Sequence, residues 1–213
     1  MALQSTAEDL ALHGLRVLGF AAAPRIAGRY GLDPDEVQEY LLDHQARGWV
    51  RKTSFGGSSG WSLTDAGRAE DERRLAAELA AAGPGARDEV VAAHQQFLPL
   101  NDRLGTACTN WQIRPAPGDP LAVNDHSDPR WDDRVLATLG SLGSSLRRLC
   151  DPLAGRLSRF GGYAGLYATA VVRAHAGQYA WIDAPDLDSC HLVWIQFHED
   201  LLATLGLDRG PGR

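Results

Sequence analysis

The stretch RIAGRYGLDPDEVQEYLLDHQARGWV, residues 25–50, decides how the first part of this chain folds. Two signals divide it. Gly31 is a glycine stop for a helix over Ala23 to Tyr30, where Pro24 is tolerated because a first-turn amide needs no helical partner. Asp33 is a good N-cap, Pro34 a first helical position and Glu36 the partner of a capping box, so the next helix starts there. That helix carries Val37, Leu41 and Leu42 on one face and stops at Gly48. Trp49 to Phe55 then reads as a strand, Gly56 to Gly60 as a turn and Trp61 to Leu63 as a returning strand.

Working outward, Leu10, Leu12, Leu15, Val17 and Leu18 give Ala7 to Leu18 a helical apolar period. Thr64 or Asp65 caps a further helix to about Ala82, and Gly83-Pro84-Gly85 is the clearest boundary in the chain. Beyond it, Ala86 to Leu98 reads as helix and Pro115 to Pro129 as loop. Trp131 to Leu149 and Pro152 to about Ala176 read as amphipathic helices, and Trp181 to Pro185 as a connector. Ser189 to Leu205, capped by Asp188 or Ser189, is the last helix, and the tail from Gly206 to Arg213 is expected to fray. The second part is therefore expected to be an α-helical bundle.

The bulk numbers narrow the function classes. With 213 residues, 44% hydrophobic and 23% charged, the chain suits one large domain or two small ones. No apolar stretch approaches the ~20 residues of a membrane span, and Met1 to Asp9 lacks the regions of a signal peptide. Cys108, Cys150 and Cys190 are scattered and odd in number, which fits reduced thiols in a cytoplasmic protein. The net charge of -6 argues against a protein that coats nucleic acid. From His13 to Arg68, seven basic side chains (Arg16, Arg25, Arg29, Arg47, Arg51, Lys52, Arg68) face six acids (Asp33, Asp35, Glu36, Glu39, Asp43, Asp65), a balance of +1. Any nucleic-acid surface there must come from arrangement rather than gross charge.

The order helix, helix, tight turn, helix, hairpin, helix, together with the wing-closing GWSLTDAGR of residues 60–68, resembles the winged helix-turn-helix cores of MarR- and PadR-like bacterial regulators. The likeness covers about a third of the chain. It implies a mainly α fold: a winged helix-turn-helix DNA-binding domain over residues 7–82, with a small β-hairpin wing, and an α-helical dimerisation and effector domain over 86–208. In such domains the third helix enters the major groove and the wing lies along the backbone. Arg51 and Lys52 at the wing base, and Arg25 and Arg29 on the second helix, then suit phosphate contact. Gln38 is the candidate for reading a base edge, and Ser54, Ser58 and Ser59 could donate to phosphates. One departure stands out: Asp35, Glu36 and Glu39 favour the helix dipole but repel phosphates. More loosely, residues 99–112, 124–129 and 188–209 are similar to actinobacterial winged-helix proteins with a helical C-terminal domain. That implies a fold pairing and a sensing role, and no enzymatic activity.

In the second part, residues 124–129 read as a loop-and-cap device, with Asp128-Pro129 starting the next helix, or Asn124, Asp125 or His126 as ligand contacts. His191 and His198 share a helical face with Trp194 nearby, so they are satisfied core histidines or polar anchors of an organic-ligand pocket. Seven residues separate those histidines by ~10 Å along a helix, too far to share one metal ion, and no metal or cofactor is expected. Trp111, Trp131, Trp181 and Trp194, with Tyr163 and Tyr167, read as core or as pocket lining. The ligand-binding candidates are Trp111, Asn124, His126, His191, Trp194 and His198. Enzyme motifs are absent, and adjacent Cys190 and His191 point about 100° apart on a helix, so they do not make a catalytic pair. The expected function is a DNA-binding transcriptional regulator that acts as a homodimer on double-stranded DNA and responds to a small-molecule effector. The alternative is a winged-helix module that binds a partner protein through its acidic third helix.

Overall fold

The computed structural model describes residues 2–208; of Phe55 and Ser58 it describes the backbone alone. The chain is mainly helical with one two-stranded antiparallel hairpin among the described residues. The elements are α1 (Ala7–Leu18), α2 (Ala23–Tyr30), α3 (Pro34–Ala46), β1 (Val50–Phe55), β2 (Ser58–Leu63), α4 (Asp65–Ala81), α5 (Ala86–Gln112), α6 (Pro129–Ala154), α7 (Tyr163–His175), α8 (Ala180–Asp183) and α9 (Cys190–Leu205), with a short 3-10 turn at Ser158–Phe160. Contacts divide them into two compact units: Met1–Val91 with Leu153–Phe160 and Gln196–Arg213, and Ala92–Pro152 with Gly161–Ile195. The Gly83-Pro84-Gly85 turn falls inside the first unit.

In the first unit the capping residues behave as their chemistry requires. Thr6, Asp33 and Thr64 accept hydrogen bonds from amides in the first turns of α1, α3 and α4. Ala11, Leu12 and Leu15 of α1 pack with Ile26 and Ala27 of α2, Val37 and Leu41 of α3, and Val50 and Trp61 of the hairpin. Fully burying each leucine, isoleucine or valine among them stabilises the unit by roughly 1.5–3 kcal/mol. Leu42, expected on the same buried face as Leu41, is instead 43% exposed, because one α3 stripe cannot face the core over its whole width. The hairpin is tighter than the sequence suggests. Its pairing runs from Val50–Leu63 to Phe55–Ser58, leaving a two-residue turn at Gly56-Gly57 rather than five residues. Both glycines have positive φ, 58° and 83°, the geometry that matches the twist of two paired strands. Ala21 adds one antiparallel bridge to Trp61 and pins the hairpin to the α1–α2 turn.

The second unit corrects two expected boundaries. The sequence ends a helix at Leu98 before Pro99, yet α5 continues to Gln112 with Pro99 inside it. An apolar stripe runs past the proline, with Phe97, Leu104, Ala107 and Trp111 all buried. Burying it outweighs the roughly 3 kcal/mol a proline costs within a helix. Likewise α6 continues through Pro152 on Leu139, Leu142, Leu146 and Leu149, so the expected Pro152-to-Ala176 helix becomes the end of α6, the 3-10 turn and α7. The expected connector at Trp181 holds one helical turn, α8. Ser189 caps α9, its hydroxyl accepting from the Leu192 amide at 3.2 Å. No helix among the described residues is long and apolar enough to cross a membrane.

Candidate functional site

The first unit presents surfaces of opposite sign. On β1, Arg51, Lys52 and Ser54 are exposed. Arg51 Nε donates to Ser62 Oγ at 3.3 Å, Lys52 stands 5.4 Å from the Trp61 ring centroid, and Ser54 Oγ donates to Ser59 Oγ at 3.1 Å. Neither Arg51 nor Lys52 has a carboxylate partner among the described residues, so their charge remains available to an anion. The Ser58 side chain lies outside the described residues. Arg25 of α2 is exposed, whereas Arg29 is half-buried with its guanidinium 5.4 Å from the Tyr30 ring centroid. Gln38 is half-buried on α3, while Asp35, Glu36, Glu39 and Asp43 are exposed around it. Glu36 accepts from Tyr40 Oη at 2.8 Å, so an aromatic hydroxyl leans on the acidic face.

The remaining cations near α3 are neutralised internally. Arg47 donates to Glu8 at 3.0 Å, and the Arg47 and Arg74 guanidiniums both lie 5.0 Å from the Trp49 ring centroid. Arg74 also reaches Asp9 at 2.6 Å and Glu70 at 2.7 Å. Hydrogen bonds from Arg73, and then from Arg74, hold the Glu70 carboxyl down at about 2.

A buried ionic cluster forms the polar centre of the first unit, and nothing in the sequence reading anticipated it. His13 of α1 places Nδ1 3.3 Å from Asp71 of α4 and Nε2 3.2 Å from Asp200 of α9. Arg159 donates to Asp200, to Glu78 at 2.7 Å and to Thr204 Oγ1 at 2.8 Å. Arg16 donates to Glu199 at 2.6 Å and to Glu72 at 3.0 Å. Burial alone would depress the His13 imidazole, but Asp71 and Asp200 outweigh it and raise it to about 9. The signal was present: His13 follows Leu12 and Arg16 follows Leu15 in the buried part of α1, and a buried charge demands a partner.

In the second unit three of the six ligand candidates meet. The Asn124 amide donates to the Trp111 carbonyl and to Asp132, both at 3.0 Å. Asn124 Oδ1 accepts from the His126 backbone at 3.1 Å, and His126 Nδ1 lies 3.0 Å from Asp132 Oδ2. The His126 ring packs 4.4 Å from Trp111 and 6.1 Å from Tyr179 between centroids. His126 is also the non-glycine residue with positive φ, 56°, among the described residues, a strain held by this local bonding. Neither Tyr179 nor Asp132 was singled out from the sequence. Tyr179 packs here only through tertiary structure, whereas Asp132 reaches back from the first turn of α6.

The other three candidates lie elsewhere. Trp194 is fully buried against Phe97 and Tyr167, at 5.0 and 5.7 Å, and donates to Asn101 at 3.2 Å. His191 is half-buried near the start of α9, and His198 belongs to the first unit. Burial pushes the Cys190 thiol up to about 12 and the Cys108 thiol to about 11, so both stay protonated at neutral pH. Among the described residues no group of three or more His, Cys, Asp or Glu is placed to hold a metal ion.

A cleft of about 440 Å³ opens between α5 and α6, lined by Arg103, Thr106, Asn110, Trp131 and Arg134 among others. Arg103, Thr106 and Asn110 were hidden from the sequence reading because the helix was expected to end before them, whereas Trp131 was read as core or pocket lining. No family model, curated protein or solved structure matches this chain.

Proposed function

We propose that the first unit is a winged helix that binds double-stranded DNA, and that the chain acts as a homodimeric transcriptional regulator whose helical second unit takes a small organic effector. The observation that carries this reading is the hairpin: Arg51 and Lys52 stand exposed and without carboxylate partners on β1, beside the capped helix α3. In this reading the hairpin is the wing, its two cations contact phosphates, and α3 approaches the major groove with Gln38 toward a base edge. Arg25 adds a phosphate contact from α2, and Arg29 a weaker one because it is half-buried.

One observation favours a second reading. Asp35, Glu36, Glu39 and Asp43 are all exposed on α3, and such a face repels phosphates. The alternative is a winged-helix module whose acidic α3 binds a basic protein surface. Selection from a random duplex pool by the full chain separates the two. Regulator function predicts enrichment of a two-fold symmetric site together with a dimer by light scattering; a monomer that enriches nothing contradicts it and leaves the protein-binding reading.

A further inference from the structure

We infer that the cleft between α5 and α6 is a binding site for a small organic anion that carries a flat ring. This deepens the effector half of the proposed function, and it rests on that reading only for a consequence at DNA. The cleft lies wholly within the second unit, and its volume of about 440 Å³ suits a small organic molecule. Asp102, Arg103, Thr106 and Asn110 repeat at helical spacing along α5 and face Trp131, Arg134 and Thr138 of α6.

Two unpaired cations give this cleft its charge, as Arg51 and Lys52 give the hairpin its own. Arg16, Arg47, Arg73, Arg74, Arg114, Arg156 and Arg159 all pair with carboxylates. Arg103 and Arg134 do not: among the described residues neither makes a hydrogen bond or an ion pair through its side chain. Two guanidiniums that pair with no carboxylate, on one concave surface, form a receptor for a carboxylate or a phosphate monoester, which accept the paired N–H groups of an arginine.

Trp131 supplies the platform for a ring. Its indole N–H donates to the Asn110 carbonyl at 2.6 Å, which fixes the ring plane and leaves no donor for water to claim. The Arg134 guanidinium lies 5.3 Å from the same ring centroid, so a flat ligand stacks where its anionic group also meets a cation. The two threonines do not compete for the anion, since Thr106 and Thr138 donate to the carbonyls of Asp102 and Arg134 at 3.0 and 2.8 Å. Asp102 sets the limit on charge. A carboxylate on the lining disfavours ligands with several negative charges and accepts from a ligand hydroxyl or amine.

Isothermal titration of the full chain without DNA tests this, using 2-naphthoate, 2-naphthyl phosphate and the neutral 2-naphthamide as probes. One or both anions should bind, with the amide weaker by about tenfold or more, the scale set by charge-assisted hydrogen bonds. Tighter binding of naphthoate identifies the carboxylate as the natural group, and tighter binding of the phosphate identifies the phosphate. The Arg103→Gln/Arg134→Gln double variant should lose about tenfold or more in affinity for the preferred anion with unchanged circular dichroism. Both positions are exposed, so folding should survive; Trp131→Leu is a second variant, expected to weaken both anions alike. Absence of binding by either anion, equal binding of the amide, or wild-type affinity in the double variant overturns the proposal. Because no DNA enters the measurement, its failure is separate from failure of the DNA-binding reading.

Discussion

His13 Nε2 of α1 lies 3.2 Å from Asp200 of α9 while its Nδ1 faces Asp71 of α4 at 3.3 Å, so one buried imidazolium joins three helices that are far apart in sequence. The cluster also holds Arg159, which neutralises the remaining charge on Asp200 and pairs with Glu78. Stripping water from His13 is costly, and the two carboxylates more than offset that cost.

A pH dependence follows. The His13 pKa rises from 6.5 to about 9 on folding, so its stabilisation is complete below pH 6.5 and is lost as pH climbs through about 9. The urea midpoint should fall across that window, by a stability of about 3 kcal/mol for a shift of this size. The slope should disappear in His13→Gln. A midpoint that is flat over the same window would show that the imidazole does not stay charged.

Removing one partner from the buried cluster should do more harm than removing an exposed pair. Arg159→Met leaves Glu78 without its cation and Asp200 with His13 alone, at a cost of roughly 3–5 kcal/mol in urea unfolding. Arg156→Ala, which breaks the exposed pair with Glu89, should scarcely move the midpoint. Equal effects would mean that the cluster is not the polar centre of this unit.

Two glycines should respond in opposite directions. A Cβ on Gly67 would stand 1.9 Å from the Trp49 carbonyl oxygen, where α4 crosses the start of β1, so Gly67→Ala must move backbone. It should destabilise by roughly 1–3 kcal/mol, as other overpacked sites do. Gly105 in α5 has nothing within 4 Å of its Cβ position, and Gly105→Ala should stabilise by about 0.5–1 kcal/mol through helix propensity. Thermal unfolding of the two variants checks both signs.

The acidic face of α3 makes a further prediction. Glu36→Lys/Glu39→Lys replaces two exposed carboxylates with cations, so nonspecific affinity for duplex DNA should rise and steepen its salt dependence by roughly one to two units of slope. Partner-protein binding, if α3 is instead a protein-docking face, should fall in the same variant. Unchanged DNA affinity would place α3 away from the duplex.

The first four helices and the hairpin were legible because each is punctuated locally. Asp33, Gly31, Thr64 and the glycines of residues 56–60 act within a few residues of the boundaries they set. Pro99 and Pro152 misled for the opposite reason: the stripes that carry α5 and α6 through them gain their energy from burial against other helices. The candidate site split in the same way. Asn124 and His126 advertise themselves in a polar loop, but Asp132, which holds them, reads as an ordinary first-turn acid of α6, and Tyr179, which covers them, lies more than fifty residues away. The His13 cluster draws on residues separated by as many as 187 positions, namely His13 and Asp200, and no local pattern encodes that.

The most direct test of the proposed function is fluorescence anisotropy of the full chain on the duplex flanking its own gene, against a scrambled duplex and across a salt series. DNA-binding regulation predicts sub-micromolar, sequence-selective binding that weakens with salt, and a slope reduced by about one to two units in Arg51→Ala/Lys52→Ala. Equal, weak binding to both duplexes with no change in that variant would contradict it.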